Sequence, residues 1–392
     1  NSPATGERLA MLLGTGRLLG DLIDRMPEFI PRLADEDRLD HVRNREDAGA
    51  RLLGLLESRP ELDDRIGTIR RFARRRRLRI AARDILTDYP VVGTVEALSD
   101  TADASMIGAL EAAAPGARFA VIALGRWGGG ELSYGSDLDL MYVYEGMPRE
   151  DALAIPNELR KILAEPSKHG EGYELDADLR PEGKSGPIAR SVGGVARYYQ
   201  EWGEPWEMLA LTRARPVSGH PEVIKGFEEA IEPILWRPHL DPAIVQSIRK
   251  VKARVETERI DPDEDPDFHL KLGPGSLSDI EFLTQLMQLR HGAAHPELRT
   301  PMTPRALDVL LDIGELTQGD HDTLVTSYEF CTRVRLRLHL QRGRLADSLP
   351  QDPDELSSLA VSLGFDRAVE LRERFQQVTR RARRVFERHF YE

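Results

Sequence analysis

A glycine-rich turn joins two short apolar segments in the first half of the chain. The first segment, ARFAVIALG at 117–125, is bounded like a buried strand and ends in glycine. The turn WGGGELSYGS follows at 127–136, and DLDLMYVY at 137–144 then combines alternating carboxylates with aromatic and branched residues, which is typical of a second strand. A third candidate strand, GYELDADLR, lies at 172–180, after a helix predicted over 150–168. These segments predict a small mixed α/β unit with three or more strands.

Helical periodicity dominates the chain on both sides of this unit. From residue 6 to about residue 100, apolar side chains recur at spacings of three and four, and this pattern returns at Val192 and continues to the end. The segment 261–279 interrupts the later helices and is predicted to be a loop. We therefore predict an α+β fold with three regions: an N-terminal helical region at 1–115, a small mixed-sheet core at 116–215 and a C-terminal helical bundle at 216–392.

Composition excludes several classes of protein. The formal net charge of −12 argues against non-specific nucleic-acid binding through the overall field of the molecule. No run approaches the roughly 18 apolar residues of a membrane span, and no signal peptide is visible. The single cysteine, Cys331, excludes an intrachain disulfide and fits a reducing, cytoplasmic location. The chain begins at Asn1 and enters a predicted helix almost at once, which suggests a fragment of a longer protein.

Two carboxylates mark the start of the second predicted strand. Asp137 and Asp139 are two residues apart, so both side chains point to the same face of a strand. Like charges on one face repel each other unless a cation lies between them, and Mg²⁺ is commonly held by one or two carboxylates together with substrate phosphates. Asp176 or Asp178, on the third predicted strand, could add a further carboxylate for a two-metal site.

Residues around these carboxylates have the chemistry to bind phosphate. Gly128 and Gly129 allow the turn to approach a phosphate closely with backbone amides as donors, and Ser136 adds a hydroxyl. Cationic side chains downstream are further candidates for contacts with phosphate oxygens: Arg180, Lys184, Arg213 and Arg215.

Each of these signals has an ordinary structural explanation when taken alone. A pair of carboxylates is often an exposed strand face, and a glycine-rich turn is often only a turn. The combination of a glycine pair, Ser-Asp-x-Asp on an apolar strand and a later acidic strand followed by Arg-Pro is far more specific. It resembles the nucleotidyltransferase superfamily that includes DNA polymerase β. A dinucleotide-binding fold is rejected because the turn leads into a strand rather than a helix.

Two other segments leave alternatives open. GPGSLSD at 273–279 fits a helix start, with Ser278 as N-cap and Glu281 near the third helical position, but it also fits a phosphate cradle with Lys271 alongside. The arginine run at 74–77 fits an anion site, although a solvated helix face is the favoured interpretation.

Four long segments resemble the glutamine synthetase adenylyltransferase family. They occur in the order and spacing typical of that family: GRWGGGELSYGSDLDL, DADLRPEGKSGPIARS, EWGEPWEMLALTRARPVSG and LKLGPGSLSDIEFLTQLMQLRHG. The resemblance covers nearly the whole chain. Members are bifunctional and carry two similar nucleotidyltransferase units, of which the amino-terminal one removes AMP by phosphorolysis and the carboxy-terminal one adds it. WEMLALTRARPVSG and the ending after VFERHF look more like the adding unit.

The resemblance assigns expected roles to individual residues. Asp137 and Asp139 match the metal-binding carboxylates, Asp176 is preferred to Asp178 as the third, and Gly128 and Gly129 match the phosphate-loop glycines. The implied ligands are Mg²⁺, as two ions, and ATP as substrate, on a polymerase-β-like core. The chain departs from the family pattern at three positions: Arg126 replaces lysine, Asp178 stands where arginine or another polar residue is common, and Ser276 replaces glycine. A positive φ at that serine would be strained.

The implied activity is transfer of AMP from ATP to a tyrosine of glutamine synthetase, with release of pyrophosphate. Glutamine synthetase is then the protein partner, and a PII-type signal protein is a candidate regulator. The adenylyl-removing unit of the same family, a docking module without catalysis, and nucleotidyl transfer to a small molecule or another regulator protein remain as alternatives.

Overall fold

The computed structural model describes residues 3–35, 44–170 and 172–392. The described residues have an α+β fold with a small mixed sheet and many helices, as the sequence predicted. The chain forms two compact units. The first comprises Asn1–Ala10, Leu22–Leu132 and Ser136–Leu235, and the second comprises Met11–Asp21, Ser133–Gly135 and Trp236–Glu392. The division into three regions at 1–115, 116–215 and 216–392 stays a prediction.

Helices account for the described chain before the sheet. Asn44 begins one of them by accepting a hydrogen bond from the Asp47 amide, as an N-cap does, and Pro90 precedes another. A short 3₁₀ helix spans Pro27–Ala34. The α-helices are α1 Pro3–Thr15, α2 Arg17–Asp24, α3 Arg45–Glu57, α4 Leu62–Leu86 and α5 Val91–Ala113.

A mixed sheet follows these helices. Its strands are β1 Phe119–Ala123, β2 Leu138–Tyr144, β3 Leu175–Asp176, β4 Ala189–Ser191 and β5 Arg215–Gly219. The order is β3-β2-β1-β5, where β1 is antiparallel to both β2 and β5. Strands β3 and β4 pair in parallel with successive parts of β2. All five residues of β1 are buried, so this strand forms the centre of the core.

The helices of the first unit that follow β1 complete the surroundings of the sheet. They are α6 Gly125–Gly128, α7 Arg149–Leu163, α8 Val192–Glu201, α9 Pro205–Thr212 and α10 Pro221–Leu235. The helix predicted over 150–168 therefore ends at Leu163. Pro166 lacks an amide donor and disfavours helical geometry at the residue before it, which accounts for the early end. The predicted third strand is reduced to Leu175–Asp176, and the single helical turn α6 ends at Gly128, inside the glycine-rich turn.

The second unit contains the remaining α-helices that the structure describes. They are α11 Pro242–Glu258, α12 Leu277–His291, α13 Thr303–Asp312, α14 Gln318–Arg342, α15 Pro353–Ser362 and α16 Ala368–Tyr391. Cys331 is buried on α14, and burial raises the pKa of its thiol to about 12. None of the described helices combines the length and apolar character needed to cross a membrane.

The loop predicted at 261–279 is present, but the helix after it begins earlier than expected. Ser276, not Ser278, is the N-cap of α12, so the prediction of Ser278 as the cap is wrong. The φ of Ser276 is −89°, so the serine causes no left-handed strain. Gly275 has the positive φ instead, at 73°.

A buried carboxylate in the first turn of α12 lies against this loop. Asp279 accepts a hydrogen bond from the Gly275 amide at 2.6 Å and forms ion pairs with Lys252 at 2.5 Å and Arg383 at 3.0 Å. A carboxylate of α12 thus binds the loop through the Gly275 amide, and two cations compensate its charge. This arrangement gives the glycine-rich segment a structural role, and the phosphate cradle with Lys271 remains a prediction.

Candidate active site

Three carboxylates converge where β2 and β3 begin their parallel pairing. Asp139 lies directly opposite Asp176 in the register of the two strands, and Asp137 immediately precedes β2. One ligand atom from each of the three side chains lies within 4.8 Å of the other two. All three residues are half-buried. The structure therefore brings together the three residues that the sequence analysis selected as metal ligands.

A cavity of about 440 Å³ adjoins this triad of carboxylates. Asp137 and Asp176 line it, together with the loop after β3 and the side chains of Arg180 and Lys184. This volume lies within the range of small-molecule binding sites. Oxygen ligands at short mutual distances suit Mg²⁺, so the residues present fit the metal that the sequence predicted.

Asp178 lies in the cavity but outside the triad. Its carboxylate forms an ion pair with Lys184 at 3.1 Å and lies 4.0 Å from the Arg180 guanidinium. Its backbone amide donates to Oδ1 of Asp176 at 2.7 Å, which orients the Asp176 carboxylate. The geometry thus separates Asp178 from the three clustered carboxylates.

Arg180 lines the cavity, but its guanidinium is engaged by the loop that carries it. It donates to the carbonyl of Ala177 at 2.7 Å and to the carbonyl of Gly186 at 3.1 Å. These bonds close the loop after β3. A direct contact between Arg180 and a phosphate stays a prediction.

Gly125 and Gly128, which precede β2, lie at points of close packing. A Cβ at Gly125, where φ is +53°, would overlap Oδ2 of Asp139. A Cβ at Gly128 would overlap the Arg213 carbonyl oxygen. The absence of side chains at these two positions therefore allows the helical turn α6 to lie against the triad and the chain beside it.

The amides of the predicted phosphate loop participate in the α6 turn. The Gly128 amide donates to the Leu124 carbonyl at 2.6 Å, and the Gly129 amide donates to the Gly125 carbonyl at 3.1 Å. Ser136 is half-buried and immediately precedes Asp137. Phosphate contacts by Gly128, Gly129 and Ser136 stay predictions.

Arg213 and Arg215 contact the glycine turn and do not line the cavity. Arg213 forms a buried ion pair with Glu131 at 2.7 Å and donates to the Gly125 carbonyl at 3.4 Å. Arg215 donates to the carbonyls of Gly128 and Trp127, both at 3.1 Å. These contacts give both arginines a role in holding α6 in place, whereas their phosphate contacts stay predictions.

Asp103, on α5, is the anion at the centre of this support. It accepts two hydrogen bonds from Arg215, at 2.6 and 3.0 Å, and one from the Trp127 indole at 2.8 Å. Arg45 forms a further ion pair with it at 2.8 Å. The role of Asp103 could not be recognised from the sequence, because two carboxylates in a stretch of small residues, Asp100 and Asp103, form no motif.

A family model described as glutamate-ammonia ligase adenylyltransferase matches residues 6–230, more than half of the chain and all of the site described above. The chain belongs to this family. A second model, described as GlnD PII-uridylyltransferase, matches residues 247–392 in the second unit. The adenylyltransferase match thus covers the triad, the glycine turn and the helices that support them.

Relatives of the adenylyltransferase family extend the match over the chain. Two similar proteins are named bifunctional glutamine synthetase adenylyltransferase/adenylyl-removing enzyme. The one from Streptomyces avermitilis is 37% identical over 99% of this chain and 42% of its own length. The one from Cutibacterium acnes is 37% identical over 99% of this chain and 40% of its own length. The protein of that name from Mycobacterium tuberculosis is 36% identical over 100% and 41%. The chain therefore spans about two fifths of the length of these relatives.

Proposed function

We propose that this chain transfers AMP from ATP to a tyrosine hydroxyl of glutamine synthetase and releases pyrophosphate. The observation that carries the proposal is the convergence of Asp137, Asp139 and Asp176 beside a cavity of about 440 Å³. The family match and the names of the relatives supply the substrate. The three carboxylates also argue against a docking module without catalysis.

The carboxylates and the loop after β3 would organise the reactants. Asp137, Asp139 and Asp176 would hold two Mg²⁺ ions, which supply charge neutralisation for the triphosphate when bound. Asp176, whose carboxylate accepts a hydrogen bond from the Asp178 amide, would accept the proton of the tyrosine hydroxyl. The tyrosine oxygen bonds to the α-phosphorus as the bond to the leaving pyrophosphate breaks. Catalysis then depends on positioning and charge, as in other phosphoryl transfers.

The adenylyl-removing reaction is the second candidate. The relatives are named as enzymes of both activities, and this chain spans about two fifths of their length. In that direction a phosphate oxygen attacks the phosphorus of the AMP-tyrosine bond, which yields ADP and free tyrosine. The same triad would serve both reactions.

The second unit is the proposed site of regulation. Residues 247–392 match a family model whose description names a PII-uridylyltransferase. We therefore expect a PII-type signal protein to act on this chain through the second unit.

A labelling assay tests the proposed activity. Purified glutamine synthetase, Mg²⁺ and α-labelled ATP are incubated with the chain, with its Asp137→Asn variant or with Asp178→Asn. We expect label on the synthetase with the parent chain, none with Asp137→Asn, and a far smaller loss with Asp178→Asn, whose carboxylate pairs with Lys184.

Two other outcomes would change the proposal. Phosphate-dependent release of ADP from adenylylated synthetase, without label transfer, would identify the removing unit. Full transfer by Asp137→Asn at ordinary Mg²⁺ concentration would refute the assignment of the triad.

A further inference from the structure

A second cavity, of about 500 Å³, lies among the helices of the first unit that precede the sheet. Its walls come from the 3₁₀ helix Pro27–Ala34, from α3 and the residues after it, and from one face of α4. The residues that line it are distinct from those that line the triad cavity. Its volume also fits a small-molecule ligand.

The α4 wall of this cavity is a single helical face. Its residues recur at spacings of three and four, which places their side chains on one side of the helix. They are Thr68, Arg71, Phe72, Arg75, Arg76 and Arg79. The periodicity thus directs four arginines of a strongly basic segment toward one space.

Two other arginines of α4, Arg70 and Arg74, form structural hydrogen bonds. Arg70 donates to the carbonyls of Ile162 at 3.0 Å and Glu165 at 2.6 Å, at the end of α7. Arg74 donates to the carbonyl of His169 at 2.9 Å and is half-buried, so the solvated face expected for the run at 74–77 does not describe it. Arg70 and Arg74 therefore anchor α4 to the end of α7 and the loop after it, and neither lines the cavity.

The lining is strongly cationic. Arg32, Arg51 and Arg59 join the four arginines of α4, which makes seven arginines among the described lining residues against one carboxylate, Glu28. Glu28 pairs with Arg75 at 2.9 Å, and this contact lowers the pKa of Glu28. Such a concentration of positive charge in a chain of net charge −12 attracts anions.

An apolar wall accompanies the arginines. Met26, Phe29, Leu55 and Phe72 also line the cavity, and the Arg76 guanidinium lies 5.7 Å from the Phe72 ring centroid.

Guanidinium groups bind phosphate oxygens in bidentate geometry, and seven of them around one cavity exceed what a single orthophosphate can engage. A ligand with several phosphates and an aromatic ring, whose face can pack on apolar side chains, matches both walls. A cavity of this size also favours a small molecule over an extended acidic protein segment.

We propose that this cavity binds a nucleotide that carries several phosphate groups, at a site separate from the carboxylate triad. The inference rests on the lining of the cavity and not on the activity proposed above. The site has no carboxylate cluster to hold a metal among its described residues, so binding depends on the arginines themselves.

Isothermal titration calorimetry of the full chain in EDTA tests this site, with GTP and inorganic tripolyphosphate as probes. The test variant is Arg51→Gln/Arg71→Gln, which removes two exposed cavity arginines. The matched control is Arg380→Gln/Arg381→Gln, which removes the same charge from exposed positions on α16. Asp137→Asn controls for binding at the triad, and circular dichroism verifies that each variant is folded.

We expect one molecule of GTP to bind per chain, more tightly than tripolyphosphate. The affinity should fall about tenfold or more in Arg51→Gln/Arg71→Gln and remain unchanged in the α16 control and in Asp137→Asn. The absence of binding by either probe would overturn the proposal, as would an equal loss in the α16 control or a loss confined to Asp137→Asn. Tighter binding of oligoglutamate than of GTP would also overturn it, and would indicate an acidic protein segment instead.

Discussion

At the scale of single residues, the site depends on a position that has no side chain. Gly125 combines a left-handed backbone conformation with direct apposition to Asp139. Any larger residue there must displace the carboxylate, the backbone or both. The two effects are separable because Gly116 has a similar φ of +71°, but a Cβ placed on it would have nothing within 4 Å.

Replacement of Gly125 by alanine should therefore disable the triad. We expect Gly125→Ala to lower AMP transfer by about a hundredfold or more, since a shift of about 1 Å in a positioned group has effects of this size. Gly116→Ala should cost about 1 kcal/mol of stability from the backbone alone and leave transfer intact. Rates from the labelling assay and urea unfolding of both variants make the comparison. Normal transfer by Gly125→Ala would show that Asp139 tolerates displacement.

The environment of Asp100 makes the stability of the chain depend on pH. Burial, together with the nearby Asp103, raises the pKa of its carboxyl to about 6. The unfolded pKa is about 3.9, so between about pH 4 and 6 the native state retains a proton that the unfolded chain has released. Stability therefore falls as pH rises through this window.

Removal of the ionisable group should abolish this loss. We expect Asp100→Asn, relative to the parent chain, to gain about 2 kcal/mol in free energy of unfolding between about pH 4 and about pH 7.5. Urea unfolding at both pH values measures the difference, and Asp151→Asn, at an exposed position on α7, is the control. Equal pH dependence of Asp100→Asn and the parent chain would contradict the assignment.

At the scale of elements, the short helix α6 is held by side chains from distant parts of the chain. Asp103 on α5 and Arg215 on β5 are 112 residues apart in sequence, and Arg213 and Glu131 are 82 apart. Together they fix the turn that lies against Asp139. The sequence displays the charges of these residues but not their partners, which explains why it suggests phosphate contacts for Arg213 and Arg215.

Because Arg215 supports α6, its replacement should lower the stability of the chain strongly. Arg215→Gln leaves the buried Asp103 carboxylate with less compensation and releases the Gly128 and Trp127 carbonyls, so we expect a loss of about 2–4 kcal/mol and slower transfer. Arg45→Gln removes a more exposed partner of the same carboxylate and should cost less. Chemical denaturation of the two variants gives the ranking. A larger cost for Arg45→Gln would contradict it.

The sequence predicted elements well where the signal was local. Strands β1 and β2 follow from apolar runs, and the convergence of Asp137 with Asp139 follows from the alternation of side chains. Strand β5 was not predicted because Pro216 lies within it. Proline usually argues against a strand, unless that strand lies at the edge of a sheet. In the sheet order β5 is an end strand, which explains how it accommodates the proline.

At the scale of the whole molecule, each of the two units has its own buried ionic centre. In the second unit, Lys252 and Asp279 have no exposed side-chain surface and lie 2.5 Å apart. Their burial is tolerated because Arg383 and Glu256 complete the network. The loss of one member would leave an uncompensated charge in the core.

Removal of this lysine should destabilise the second unit selectively. We expect Lys252→Ala to cost about 3–5 kcal/mol and to accelerate hydrogen exchange in α11, α12 and α16 more than in β1. Lys250→Ala, at an exposed position of the same helix, should leave exchange unchanged. Uniform acceleration across both units would show that they unfold together.

The burial of Cys331 has a practical consequence for spectroscopy. Thiol reagents require the thiolate at an accessible surface, and the only sulfhydryl of this chain is buried with a strongly raised pKa. In the folded chain the Cys331 thiol therefore does not react with labelling reagents, and it becomes reactive only when α14 unfolds locally. A cysteine introduced at an exposed position could be coupled to a fluorophore without first deleting the native one.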